Sequence, residues 1–394
     1  MTNNIIYGNS IKHLWNLDSN IVFLNNGSFG AAPKKVLEAQ RWYSDFMEKN
    51  PVSFIIEHSR NLLNIANSKL SILVKAKPDN LAFVENATTA VNSVLHYLIF
   101  QKKMSGEILY TNHTYPAVVN ALKYYEKFSD ISLKLVSIPY PANDDIILDT
   151  FTESISNKTI IALIDSISSS TALLFPIDKL SELFALHNII SVVDGAHGIG
   201  CTELDLSAAK YDFYTSNNHK WLYAPKGSAF LYVSDKYLND IHPLSISLFY
   251  GMGFRAEFEW QGTKDLTAWI ATADAVDFYH EMGGIEILEY NRTLNCQAKD
   301  LILKNFATYS CDEMMNTVMS TYFLSDKIKV SHDTTMELRK YFYENYKIEI
   351  PFMAFDDKIW FRIACQIFND LSDYKTLVDA LNDFNQTGIK TFIK

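Results

Sequence analysis

YDFYTSNNHKWLYAPKGSAFLYV, residues 211–233, reads as a short apolar strand (Phe213, Tyr214) that ends in a polar turn, Ser216-Asn217-Asn218. The turn delivers His219, Lys220 and Trp221, and a glycine corner at Pro225-Lys226-Gly227 leads into a second apolar run, Ala229 to Val233. A lysine in a tight polar turn between two buried strands has little to do with packing. An aromatic beside it can shield it from water, and desolvation frees a lysine amine to act as a nucleophile. That is what a Schiff-base lysine requires. A surface lysine in a hairpin would give the same stretch, so the surroundings must decide.

On the N-terminal side the chain alternates. Strand-like runs at Leu81–Val84, Ile108–Tyr110, Leu133–Ile138, Thr159–Asp165 and Ile189–Asp194 are interleaved with helix-like stretches at Thr89–Phe100, Tyr115–Phe128 and Asp178–His187. This alternation predicts an α/β domain with a largely parallel sheet covered on both faces. Before it come a strand at Ile21–Leu24, an irregular backbone-exposing loop over Asn25–Gly30, and two helices. One opens at Pro33 with Val36, Ala39, Tyr43, Phe46 and Met47 on one face; the other has Leu62, Ala66, Leu70 and Leu73 in phase. Beyond Gly262 the texture changes to long helices, 264–282 and 285–306, then strands near 348–354 and 359–364 and a closing helix, 371–384. Elements in separate blocks suit a smaller α+β domain, with the boundary near 262 to 285.

The whole chain has 394 residues, 48% of them apolar and 20% charged, which is ordinary globular composition and suits one large domain plus a smaller one. A net charge of −10 argues against nucleic acid or an anionic membrane as a partner. The four cysteines (Cys201, Cys296, Cys311, Cys365) are scattered without a CxxC pair, and no signal-like or membrane-length apolar run is present. A reducing cytoplasm is the expected location.

In an open parallel sheet, ligands bind beyond the carboxyl ends of the strands. After the strand at 81–84 comes Glu85-Asn86-Ala87-Thr88-Thr89, small hydroxyl residues at a helix start that can receive an anion. Plain N-capping by Thr88 is the alternative reading. After 108–110 comes Thr111-Asn112-His113-Thr114-Tyr115, which places an aromatic where it could cover a flat ring. After 159–164 comes the donor-rich Asp165-Ser166-Ile167-Ser168-Ser169-Ser170-Thr171, and after 189–193 comes Asp194-Gly195-Ala196-His197. A buried aspartate needs a cationic partner, and a protonated pyridine nitrogen would be one.

Competing motifs fail. No GxxxxGK[ST] loop and no GxSxG elbow occur. Gly251-Met252-Gly253 with Ala256 matches a dinucleotide fingerprint only on paper, because Phe254, Glu257 and Phe258 do not open a convincing helix. His113, His197 and His219 lack metal-ligand spacing, so separate roles are expected and no metal site.

Ala87-Thr88-Thr89, Tyr115, Asp194 with His197, His219-Lys220, Gly262-Thr263 and Arg362 together resemble fold-type I pyridoxal-phosphate enzymes, and more narrowly the class V aminotransferase superfamily. FLNNGSFGAAP (23–33), NPVSF (50–54), HKWLYAPKGSAFLYV (219–233) and FEWQGTKD (258–265) are similar to the isopenicillin N epimerase group, which includes hercynylcysteine sulfoxide lyases. The resemblance implies a mostly parallel seven-stranded sheet sandwiched by helices in a large cofactor domain, residues 21–264. It implies a small domain of 265–394 together with 1–20.

It also implies roles. Lys220 would hold pyridoxal phosphate and act as acid/base at the substrate Cα, Asp194 would pair with the ring nitrogen, and His197 would contact the ring 3′-oxygen. Tyr115 would stack on the ring. Ala87, Thr88, Thr89, Asn217 and His219 would hold the phosphate, with Thr263 reaching it from a second subunit of a homodimer. Ser169 is a further cofactor contact, though related enzymes often carry His and Pro in the 165–171 stretch. Arg362 would clamp the substrate α-carboxylate, with Asn26 and Ser28 lining the substrate pocket, and His113 is a possible second acid/base. The implied activity is epimerisation or C–S lysis of an amino acid or amino-acid conjugate. Transamination and a non-catalytic binding module are the alternatives.

Overall fold

The computed structural model describes residues 5–310 and 317–393; Cys311 lies outside them. By contact the chain divides into two compact units, 35–168 with 174–278, and 1–34 with 169–173 and 279–394. Residues 21–34, expected in the large domain, group with the smaller unit, because β1 (Val22–Phe23) pairs in parallel with a strand near residue 348. Residues 265–278 group with the larger unit.

The larger unit supplies β2 (Leu81–Val84), β3 (Gly106–Thr111), β4 (Ile131–Val136), β5 (Thr159–Asp165), β6 (Ile190–Asp194), β7 (Phe213–Ser216) and β8 (Ala229–Val233). They form one seven-stranded sheet in the order β2-β8-β7-β6-β5-β3-β4, parallel except for β8, which runs against both its neighbours. Every residue of β2, β6, β7 and β8 is buried, which is why these strands read as unbroken apolar runs. The edge strand β4 exposes part of its length.

The strand order reverses at β3, which lies between β4 and β5, so the crevice for a ligand opens beyond the ends of β3 and β5. Because β8 alone is antiparallel, its beginning lies at the same sheet edge as the ends of β7 and β2. The strand-end segments carrying Thr88, Tyr115, Asp194 and Lys220 therefore share one edge. The helix Ala87–His96 starts at that edge and runs back across the sheet, packing on β2, β6, β7 and β8.

The smaller unit contains β9 (Met319–Ser325), β10 (Ile348–Glu349), β11 (Phe352–Phe355) and β12 (Lys358–Ala364). β11, β12 and β9 make an antiparallel sheet, and β10 pairs with β1. Helices Ile285–Asn305, His332–Tyr346 and Leu371–Gln386 complete it around a core that includes Leu294, Phe342, Phe361 and Leu381.

Several local expectations change. The loop after β1 is wound into a single turn, Asn26–Phe29, closed by Gly30 at φ 67. The stretch 264–282 is two helices, Thr267–Ile270 and Thr272–Glu281. The helix Ser59–Leu73 buries Leu63, Ala66 and Leu70, so its inner face is rotated from the expected one. Phe254–Glu259 does form a short helix, but its Phe254 and Phe258 are core residues, and the strand before it, β8, ends at Val233, too far back for the tight strand-to-helix turn of a dinucleotide site. Among the described residues no helix is long and apolar enough to cross a membrane.

Candidate active site

Lys220 sits on a four-residue helix, Asn218–Trp221, and is buried. Its Nζ lies 3.1 Å from His197 Nε2, and the indole Nε1 of Trp221 lies 3.2 Å from His197 Nδ1. An indole N–H can only donate, so Nδ1 is the accepting nitrogen and the imidazole proton belongs on Nε2. That side of the ring faces the lysine nitrogen. Trp221, read from the sequence only as an aromatic that can shield the lysine from water, thus sets the tautomer of the histidine beside that amine.

The turn that presents Asp194 and His197 is shaped by Tyr214. A Cβ on Gly195 would come within 2.2 Å of the Tyr214 ring, and one on Gly198 within 1.7 Å of its hydroxyl. Only glycine lets Asp-Gly-Ala-His-Gly wrap this closely over the end of β7. Ser216 Oγ donates to the Gly195 carbonyl at 2.5 Å and accepts from the Ile199 N–H at 3.0 Å, which pins the turn.

Asp194 ends β6 beside Asp165, its register partner at the end of β5. Both carboxyls are buried. Loss of water raises the Asp194 pKa, against the pull of the Ala196 N–H at 3.0 Å and the nearby Lys220. Asp165 is raised well above the ordinary carboxyl range, first by burial and then by the charge of Asp194. The Tyr115 N–H and the Thr114 hydroxyl donate to it, so Asp165 ties the Tyr115 turn to the neighbouring strand end. Its Oδ2 is buried without a hydrogen-bond partner. The sequence singled out this stretch only as donor-rich, and the carboxyl itself was missed.

The anion cradle is narrower than expected. Asn86, not Thr88, caps the helix Ala87–His96, its Oδ1 accepting from the Thr89 N–H at 2.9 Å. Asn217 Oδ1 accepts from the Ala87 N–H at 2.9 Å. The first-turn donors left for an anion are those of Thr88, joined by the amide nitrogen of Asn217, whose carbonyl end is already committed. His219 Nδ1 donates to the Ser228 carbonyl at 3.0 Å, and burial lowers its pKa to about 4. A bound anion at Nε2 would pull a proton back onto that ring.

Tyr115 stays 43% exposed at the start of helix Pro116–Lys127. His113 is buried, hydrogen-bonded through Nε2 to the Ile138 carbonyl at 3.1 Å and packed edge-on to Tyr140 and Phe175. Its pKa is lowered to about 4 by burial. Thr263 is exposed, next to Lys264, which pairs with Glu85 at 2.8 Å and lies 3.7 Å over the Trp269 ring. In the smaller unit, Arg362 donates through Nη1 to the Ser169 carbonyl and through Nη2 to Ser28 Oγ at 3.4 Å. Asn26 spends its carbonyl on the Ala31 N–H at 3.0 Å, which holds the turn.

These groups fit pyridoxal phosphate: an amine for the aldehyde, two buried carboxyls short of positive charge for the ring nitrogen, and free donors at Thr88 for the phosphate. The pKa shifts make a check possible without cofactor. The His113 ring takes its proton near pH 6.5 when unfolded and near 4 when folded, so stability present above pH 6.5 drains as pH falls toward 4. The His113→Gln protein is expected to lose less stability than wild type between pH 7 and 4.5 in urea unfolding, the difference being no more than about 3 kcal/mol. Parallel pH curves for the two proteins would refute the assignment.

Comparison with known proteins agrees with this geometry. Residues 22–341 match the family Aminotransferase class-V. A probable chloroplastic L-cysteine desulfhydrase of Arabidopsis thaliana is 30% identical over 95% of this chain and 85% of its own length. The hercynylcysteine sulfoxide lyase of Schizosaccharomyces pombe is 27% identical over 98% and 99%, and the isopenicillin N epimerase of Streptomyces clavuligerus 27% over 93% and 95%. The solved structure of C-DES carrying glycine covalently linked to its pyridoxal-phosphate cofactor superposes with a TM-score of 0.83, at 18% identity over 94% of this chain and 99% of that one. With its strand-end lysine, aspartate and histidine in place and its sequence matched along most of its length, the chain belongs to the aminotransferase class-V family of pyridoxal-phosphate-dependent enzymes.

Proposed function

We propose that this protein is a C–S lyase that releases sulfur from L-cysteine or a cysteine conjugate by β-elimination. The observation that carries the reading is the buried Lys220 amine held 3.1 Å from His197 Nε2, on the sheet edge that also carries buried Asp194. Pyridoxal phosphate, when bound, supplies the electron sink for charge left at the substrate Cα. Asp194 would hold a positive ring nitrogen, Thr88, Asn217 and His219 would hold the phosphate, and Tyr115 would cover the ring. Lys220 takes the Cα proton. Departure of the β-sulfur with the bonding electron pair and a proton, followed by hydrolysis of the three-carbon remainder, would give a thiol or sulfide, pyruvate and ammonium. Arg362 receives the substrate carboxylate in bidentate fashion.

Elimination is favoured over epimerisation by His113. Epimerisation by two bases needs a second one on the opposite face, and the His113 ring is buried against the Ile138 carbonyl. The relatives named for desulfhydrase and sulfoxide-lyase activity point the same way, while the epimerase relative keeps the other reading open to test. Incubation with L-cysteine and S-alkyl-L-cysteines is expected to release pyruvate with sulfide or thiol. Loss of optical rotation without pyruvate would mark an epimerase, a new 2-oxo acid with its side chain retained a transaminase, and no change at all a binding module.

The working form is a homodimer in the cytoplasm. Trp42, Val52 and Ile56 of the larger unit are exposed apolar side chains that a second copy would cover, and exposed Thr263 is the residue offered to the partner's phosphate. Cytoplasmic placement rests on the scattered cysteines, of which Cys201 and Cys365 are buried thiols.

A further inference from the structure

Within the smaller unit, a chain of hydrogen bonds leads from an ion pair to Arg362. Glu349 on β10 is buried and held in bidentate fashion by Arg339, Nε to Oε1 at 2.7 Å and Nη2 to Oε2 at 2.5 Å. Asn25 Nδ2 donates to Glu349 Oε1 at 3.3 Å, Ser28 Oγ donates to Asn25 Oδ1 at 2.6 Å, and Arg362 Nη2 donates to Ser28 Oγ at 3.4 Å. Backbone ladders hold the links in place. The Leu24 N–H bonds to the Glu349 carbonyl at 3.0 Å and the Ala364 N–H to the Leu24 carbonyl at 2.9 Å, so the segment entering Asn25 is fixed between β10 and β12.

The direction of this chain is set at one end. A carboxylate can only accept, so the NH2 group of Asn25 must face Glu349 and its carbonyl must face Ser28. The single hydroxyl proton of Ser28 is then spent on Asn25, which leaves an oxygen lone pair for the guanidinium. With the amide inverted, the serine would present its proton to Arg362, donor against donor. We propose that Glu349, through Asn25 and Ser28, is a positioning residue that orients Arg362 to receive the carboxylate of an amino-acid substrate. The inference rests on the reading of Arg362 as the carboxylate clamp.

Glu349→Gln keeps the shape but can offer an NH2 group to Asn25, so the polarity of the relay is released. The test uses the cofactor-loaded full chain with L-cysteine as probe, reading apparent Kd from the shift in visible absorbance and kcat from pyruvate. Glu349→Gln is expected to weaken binding about three- to tenfold, the worth of one neutral hydrogen bond, with kcat within about twofold of wild type. Ser28→Ala is expected to weaken binding by at least as much, and the double variant to be no worse than Ser28→Ala alone, because both act on one link. If Glu349→Gln does not fold, Asn25→Ala leaves the Arg339–Glu349 pair intact and is expected to give the same shift. An unchanged Kd in Glu349→Gln, or in Asn25→Ala where that stands in for it, would overturn the proposal, as would additive losses in the double variant. Arg362→Lys separates the two levels. If it too leaves Kd unchanged, the clamp reading has failed; if it weakens binding while Glu349→Gln does not, only the relay has failed.

Discussion

The Asp194→Asn protein is expected to be more stable than wild type without cofactor and nearly inactive with it. In the empty fold this carboxyl is buried next to a second one, and its raised pKa marks a net cost of ionising it. A group whose folded pKa is raised favours the native state at low pH, and that contribution is lost as pH rises through the folded value. At neutral pH the penalty is in force, and an amide of the same shape removes it. With cofactor the sign reverses, because the carboxylate's partner is then a positive ring nitrogen that an amide does not hold protonated. Removing one such preorganised charge costs about 10²–10³ in kcat. Thermal melting of the cofactor-free proteins and turnover of the loaded ones measure the two halves. A variant that melted lower without cofactor, or worked as well with it, would contradict the assignment. Sites that trade stability for chemistry in this way are expected where charges are held buried for a ligand.

The second large effect belongs to Lys220. Lys220→Ala is expected to lower turnover by about 10²–10⁴, the usual worth of a positioned proton-transfer group, and by more where the amine also anchors the cofactor. A small primary amine such as ethylamine should restore part of the rate by replacing the missing base. Turnover within tenfold of wild type would place the reactive amine elsewhere.

The sheet and the lysine were legible in the sequence for a common reason. Buried parallel strands read as unbroken apolar runs, and strand ends stand out where polar residues follow. Asp194, His197, Thr88 and Lys220 all lie within a few residues of such an end. Elements whose inner faces are partly polar were harder. The helix His332–Tyr346 buries Thr334 and Thr335 beside Leu338 and Phe342, and β9 buries Ser320 and Thr321, so neither carries an apolar period. The helix Asp144–Ser154 buries only Ile147 and Phe151 of its residues, too few to mark it.

The missed features are those made by partners far apart in the chain. Trp221 was legible only as an aromatic beside the lysine, because the imidazole that accepts its N–H is 24 positions away, brought back by the parallel pairing of β6 and β7. Asp165 became meaningful only when register set it beside Asp194 and the Tyr115 turn reached across to it. The Glu349–Asn25 contact spans 324 positions, and no local pattern encodes it. Thr88 was legible as a donor, but the identity of the cap was not, since Asn86 and Thr88 are both good capping types and only the built helix start distinguishes them.

The most direct measurement traps the amine. The protein is loaded with pyridoxal phosphate, reduced with sodium borohydride, digested and mapped by mass spectrometry. The account predicts the phosphopyridoxyl group on the peptide containing Lys220, with the visible absorbance band lost on reduction. Its appearance on another lysine, or a protein left unlabelled by saturating cofactor, would contradict it.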